Sequence, residues 1–183
     1  MKKIDLIRGL AELDGVGVYV LAKRDIEKLF PKEQEKALEK SLQRMVCDKL
    51  LVRAAKGVYV NPAASSKNSR VIEDIARVLR PGCFSYVSLE SMLAEYGVIS
   101  QIPVSRITVM TTGAKGSYDT PYGTIEFTHT KRRPMDIILR TMRVTGRPLR
   151  IAQKMAAIQD LLRVGRNTNM ISNSELEDGE QTP

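Results

Sequence analysis

Residues 32–61, KEQEKALEKSLQRMVCDKLLVRAAKGVYVN, read as one amphipathic helix followed at once by a tight β-hairpin. In the helical half, Leu38, Leu42, Met45 and Val46 recur at three- and four-residue steps and share one apolar face. Lys36, Lys40, Gln43 and Arg44 occupy the opposite face. Val52-Arg53-Ala54-Ala55, a Lys56-Gly57 turn and Val58-Tyr59-Val60 then form the two arms of a ribbon, with Gly57 free to take the positive φ that a short hairpin needs. A basic helix joined directly to a two-stranded ribbon is the minimum equipment of a winged helix-turn-helix. Its helix would enter the DNA major groove while its hairpin rides over the adjoining backbone. The expected DNA-contacting residues are Lys36, Lys40, Gln43 and Arg44 on the helix, Arg53 and Lys56 on the hairpin, and Lys23, Arg24 and Lys32 before the helix.

The preceding residues fit that order. Residues 2–13 form a first helix with Ile4, Ile7, Leu10 and Ala11 along one side, stopped near Gly15. Val18-Tyr19-Val20 is a β-prone run able to join the hairpin as a third strand. Residues 22–30 form a second helix, with Ile26, Leu29 and Phe30 inward and Pro31 ending it. The expected first domain is therefore residues 1–62, followed by a small, polar linker at residues 63–69.

A second, mixed α/β domain is expected over residues 70–166, giving an α+β chain. Its elements are a helix over 70–80, a strand over 83–87, and a helix opened by Ser88 as N-cap. Strands follow over 106–112 and 123–130, separated by a turn-rich loop at 113–122. Residues 149–164 read as a last helix. The tail from 167 to 183 is polar and acidic and is expected to be disordered.

Charge is unevenly placed. The net charge is +8 with a pI near 9.6, which favours polyanionic partners. Between residues 131 and 166 there are ten Lys and Arg against two Asp, a surplus of eight, whereas residues 1–62 carry thirteen against nine, a surplus of four. Arg132, Arg133, Arg140, Arg143, Arg147, Arg150 and Lys154 are thus expected to form a second basic surface for DNA, RNA or a protein partner.

Catalytic chemistry has little to stand on. The one histidine, His129, lies on an expected strand and reads as structural or edge-exposed. Cys47 and Cys83 have no ligand or redox spacing and read as buried or ordinary free thiols. The glycines at 113 and 116 lack the spacing and the following Lys-Ser/Thr of a phosphate-cradling loop. No catalytic residue, metal site or cofactor is expected. No apolar run reaches the ~20 residues of a membrane span, and the N-terminus lacks a signal-peptide core. A cytoplasmic protein without membrane contact is expected.

GVGVYVLAKRDIEKLF and KGVYVNP, followed by FSYVSLESMLAEYGVI, resemble the AbiEi family, the antitoxins of type IV abortive-infection toxin–antitoxin systems. RITVMTTG, GTIEFTHTK and the Ile151-Ala152 to Asp160-Leu161-Leu162 segment resemble the same family, so the likeness spans residues 1–165. The resemblance implies a phage-defence antitoxin that is not an enzyme. Its winged helix would bind operator DNA, in repeats of its own promoter, and repress its own operon. Its C-terminal domain would antagonise a nucleotidyltransferase-like toxin, without a long-lived complex. The alternative is a winged-helix transcriptional regulator with a ligand-sensing C-terminal domain. An RNA-processing enzyme ranks below both, because Asp119, Glu126, Asp136 and Asp160 have no metal-binding spacing.

Overall fold

The computed structural model describes residues 1–100, 105–165 and 167–171. Among them are seven α-helices and two β-sheets, an α+β composition. The chain divides into two compact units, Met1–Leu79 and Arg80–Pro183.

The first unit runs α1 (Lys3–Gly15), β1 (Val20–Ala22), α2 (Lys23–Leu29), α3 (Glu35–Cys47), β2 (Val52–Ala55), β3 (Val58–Val60) and α4 (Val71–Leu79). Its sheet has the order β1-β3-β2, all antiparallel. The expected third strand is present two residues later than its β-prone run, pairing Val20 with Val60 and Ala22 with Val58. Gly57, at φ 73°, supplies the left-handed position of the hairpin turn. Its carbonyl also accepts the Lys23 N–H at 2.8 Å, which ties the turn to the start of α2.

The core of this unit gathers Leu6, Leu10, Leu21, Ile26, Leu38, Leu42, Met45, Leu51 and Tyr59. Burying each large apolar side chain contributes roughly 1.5–3 kcal/mol. On α1 the inward face is Leu6, Gly9 and Leu10; of the expected Ile4, Ile7, Leu10 and Ala11 only Leu10 is buried, and Ile4 and Ile7 are 59% and 46% exposed. Both stripes have helical spacing, and the core formed with Leu21, Ile26, Leu38 and Leu42 takes the Leu6–Leu10 one. The turn after α1 places its positive φ at Gly17, whereas Gly15 is the last helical residue.

The domain boundary also differs from expectation. Residues 63–69 are bound to the first unit: Asp14 accepts the Ser65 and Ser66 N–H groups at 2.8 and 2.9 Å, together with the Ser66 hydroxyl. These bonds, the Ser66 hydroxyl first, hold the Asp14 carboxyl below its ordinary pKa. Helix α4, expected in the second domain, packs on β1 and β3. The buried Tyr19 hydroxyl donates to Asp74 Oδ2 at 2.7 Å, and Arg77 reaches Oδ1 at 2.8 Å. Burial pushes the Asp74 carboxyl up, against the Tyr19 bond and the Arg77 charge. Glu73 and Asp74 face inward from α4, an arrangement that apolar periodicity does not register.

The second unit runs β4 (Ser85–Val87), α5 (Leu89–Glu95), β5 (Arg106–Thr111), β6 (Gly116–Thr120), β7 (Gly123–His129), α6 (Pro134–Arg140), β8 (Thr141–Met142), β9 (Arg150–Ala152) and α7 (Lys154–Val164), with a 3-10 turn at Thr168–Met170. Its sheet has the order β6-β7-β5-β4-β9-β8. β5 pairs parallel with β7 and antiparallel with β4, and β4 pairs parallel with β9. Part of the expected loop at 113–122 is the edge strand β6, which forms a hairpin with β7. Tyr118, packed edge-on against Phe127, is its one large side chain among Gly, Ser, Asp and Thr, too little for the apolar alternation of a half-buried strand. The start of the expected 149–164 helix is instead β9, and α7 begins at Lys154. Asn167 donates to Glu90 at 2.8 Å and Ile171 is buried, so the expected disorder does not begin at 167; residues 172–183 lie outside the described residues.

Candidate nucleic-acid interface

At 100° per residue, α3 turns Leu38, Ser41, Leu42 and Met45 inward. The outward face carries Lys36, Lys40, Gln43 and Cys47, all exposed, with exposed Arg44 at one margin. Arg44 is steadied by its bond to Ser41 Oγ at 3.1 Å. Lys40, Gln43, Arg44 and Cys47 also border a shallow surface concavity with Lys3 and Glu33. Arg53 and Lys56 are exposed on the hairpin, and Arg24 and Lys32 are exposed near the ends of α2. Arg24 lies 4.0 Å from Asp25.

Lys23 is placed differently from the other basic candidates. Its Nζ lies 2.7 Å from Glu39, 2.9 Å from Glu35 and 3.6 Å from Glu27. Glu39 and then Glu35 hold the ammonium well above its ordinary pKa, and Lys23 in turn holds the Glu39 carboxyl below its own. Lys23 is therefore committed within the protein. What it does there matters to the face: it neutralises the acidic margin of α3, opposite Arg44. The pairing joins residues 12 and 16 apart in sequence across two helices, a separation that helical periodicity does not register. Of the two readings open for the cysteines, buried or ordinary free thiols, Cys47 is a free thiol exposed at the end of the outward face, and Cys83 is a free thiol, half-buried.

The second basic segment is arranged in another way. Arg147 is nearly buried and grips Glu95 with both terminal nitrogens, at 2.7 and 3.1 Å. Arg150 bonds the Thr141 hydroxyl and carbonyl and the Ile138 carbonyl. Arg132 and Arg140 face the buried Asp160 at 3.2 and 3.9 Å. Arg133 pairs with Asp136 at 3.2 Å, Arg143 is exposed, and Lys154 is half-buried at the start of α7. Most of the residues expected to form a second basic surface are thus paired within the second unit, while Arg133 and Arg143 remain exposed. Ser88, expected as the N-cap of α5, gives its hydroxyl to Asp160 Oδ2 at 3.0 Å and makes no capping bond. His129 is exposed at the end of β7 and shares a 2.8 Å hydrogen bond with the Gly113 carbonyl.

Among the described residues no group of three or more His, Cys, Asp or Glu side chains gathers as metal ligands would, and no helix is long and apolar enough to cross a membrane.

No protein-family model matches this sequence, and no curated protein matches it significantly. In fold the chain is similar to the RV2827C protein from Mycobacterium tuberculosis, known from a crystal structure. That likeness has 14% identity and a TM-score of 0.54, and covers 100% of this chain and 73% of that one. At that identity the likeness concerns fold alone.

Proposed function

We propose that the first unit is a winged helix-turn-helix that binds double-stranded operator DNA, and that the chain is an antitoxin of the AbiEi type. The observation that carries the DNA reading is the outward face of α3, where Lys36, Lys40, Gln43 and Arg44 stand exposed while Lys23 occupies the adjoining Glu35 and Glu39. α3 is the recognition helix and the β2–β3 hairpin the wing. Lys36, Lys40 and Gln43 read base edges, and Arg53 and Lys56 hold phosphates. The element order of the first unit supports this reading, since one helix of the α2–α3 pair leaves its polar face uncovered and the hairpin follows it directly.

The antitoxin half rests on the sequence resemblance, above all residues 85–99. In this reading the first unit represses the chain's own promoter, and the second antagonises a nucleotidyltransferase-like toxin encoded beside it. The test is a reporter of that promoter together with co-expression of the neighbouring gene, both in cells making the full chain. A Lys36→Ala/Lys40→Ala/Arg44→Ala variant is expected to release repression and still protect the cells. Repression without protection by the unaltered chain would leave the plain transcriptional regulator. Repression unaffected by the triple substitution would remove the proposed recognition face.

A further inference from the structure

The arginines of the second unit converge on one point. Asp160, on α7, is fully buried, and its Oδ2 accepts the Tyr86 hydroxyl at 2.9 Å and the Ser88 hydroxyl at 3.0 Å. Its Oδ1 faces Arg132 Nη2 at 3.2 Å and Arg140 Nη2 at 3.9 Å. Arg163, three residues further along the helix, donates to Thr130 Oγ1 at 3.2 Å. That same oxygen accepts the Arg132 backbone N–H at 3.3 Å. Asp136, also nearby, is engaged by Arg133. Four guanidiniums against two carboxylates leave this neighbourhood with two positive charges unbalanced.

Such an arrangement is more than a buried carboxylate needs. One well-placed guanidinium and two hydroxyls already satisfy Asp160, so the second guanidinium and the neighbouring third add like charge in a partly dry place. Burial, and then the Arg132 charge, push Arg140 below its ordinary pKa. Arg132 Nε and Arg140 Nε are buried and bonded to nothing among the described residues. Both side chains nevertheless remain 23% and 25% exposed, and Arg163 is exposed, so the cluster is open to solvent on one side.

We infer that Arg132, Arg140 and Arg163, braced by Asp160, form a binding site for a phosphomonoester, the terminal phosphate of a nucleotide or of a nucleic-acid end. The unbalanced charge matches a group carrying about −1.5 to −2 at neutral pH. A backbone diester or a carboxylate brings only one charge. Guanidinium forks suit the paired oxygens of phosphate better than a lysine does. The two unbonded Nε–H groups have no acceptor to surrender when their side chains turn toward a ligand. Arg140 Nη1 donates to Gln159 Oε1 at 2.7 Å, and its Nη2, the nitrogen facing Asp160, also donates to the Ala156 carbonyl at 3.4 Å, which holds this guanidinium against α7. The site is independent of whether the first unit binds DNA.

The test follows the arginine Nε–H signals of the full chain by NMR. It is titrated with AMP, adenosine, and one short single-stranded oligonucleotide with and without a 5′-phosphate. A saturable shift of the Arg132 and Arg140 signals is expected with AMP, with the 5′-phosphorylated oligonucleotide, or with both, and none with adenosine or the unphosphorylated strand. Response to AMP identifies a nucleotide as sufficient, and response to the phosphorylated strand alone identifies a nucleic-acid end. Arg163→Gln, which leaves the Asp160 pairs in place, should weaken binding at least tenfold without changing the melting temperature; Arg163→Lys should restore part of it. No shift with either phosphorylated ligand, equal shifts from the two oligonucleotides, or unchanged binding by a folded Arg163→Gln protein would overturn the inference.

Discussion

Helix α3 and the stretch from Lys131 to Lys154 both carry a positive surplus, but they direct it to opposite ends. On α3 the lysines and Arg44 lie outside a closed apolar face, and the neighbouring carboxylates are occupied by Lys23. In the second unit the arginines turn back onto Asp160, Glu95 and backbone carbonyls. Lysine is a strongly hydrated point charge that remains comfortably at a surface, whereas the guanidinium fork satisfies several buried acceptors at once. A count of basic residues treats the two regions alike and ranks the second higher. On α3 the exposed cations share one helix face, whereas most of those in the second unit are engaged with acceptors.

The difference can be broken most forcefully at Asp160. Asp160→Ala removes the acceptor shared by Tyr86, Ser88, Arg132 and Arg140, leaving buried hydroxyls and uncompensated charge. The expected loss is about 3–5 kcal/mol, read by urea denaturation. A loss under about 1 kcal/mol would mean that these arginines are surface charges after all. On α3 the effects should be reversed. Lys36→Ala/Lys40→Ala/Arg44→Ala should change stability little, by roughly 0.5 kcal/mol per site or less. It should cost operator binding roughly 1–3 kcal/mol for each side chain that no longer reaches a base edge, measured by fluorescence anisotropy.

Lys23 sharpens the comparison because, under the proposed DNA reading, it acts through Glu35 and Glu39 rather than by contact. Lys23→Ala frees Glu35 and Glu39 beside the basic face and should weaken DNA binding several-fold. Adding Glu39→Gln should recover part of that loss. If the double variant binds no better than Lys23→Ala, Lys23 contacts DNA directly.

The smallest expected effect concerns Asp14, whose folded-state pKa is depressed by Ser66 and Ser65. Its contribution is present above the unfolded carboxyl value, near ~3.9, and is lost as pH falls through the lower folded value. The melting temperatures of the unaltered protein and Asp14→Asn should therefore differ at pH 7 and converge toward pH 2. A constant difference across that range would place the effect elsewhere.

Periodicity made the first unit largely legible. Leu38, Leu42 and Met45 mark the inward face of α3, and the Lys56-Gly57 turn marks the hairpin, because both signals are local. The choice between two stripes on α1 and the capture of α4 by β1 and β3 depend on partners distant in sequence. The polar edge strand β6 carries no apolar alternation, and β9 is three residues of a sequence that also suits a helix. For the same reason the exposed lysines of α3 were legible, while Lys23 with Glu39 and Arg132 with Asp160 were not. A charge pattern gives the residues present on a segment, and only the fold gives which of them are already paired.

We propose that α3 and its hairpin, rather than the arginine-rich stretch, hold DNA. The most direct measurement is the salt dependence of binding between the full chain and its own promoter. Arg53→Ala/Lys56→Ala should reduce the slope of log K against log salt by about 0.9 for each phosphate no longer neutralised, or about 1.8 for two. Arg133→Ala/Arg143→Ala, which alters exposed cations of the second unit, should leave the slope unchanged. A slope that follows Arg133 and Arg143 and ignores Arg53 and Lys56 would contradict the account.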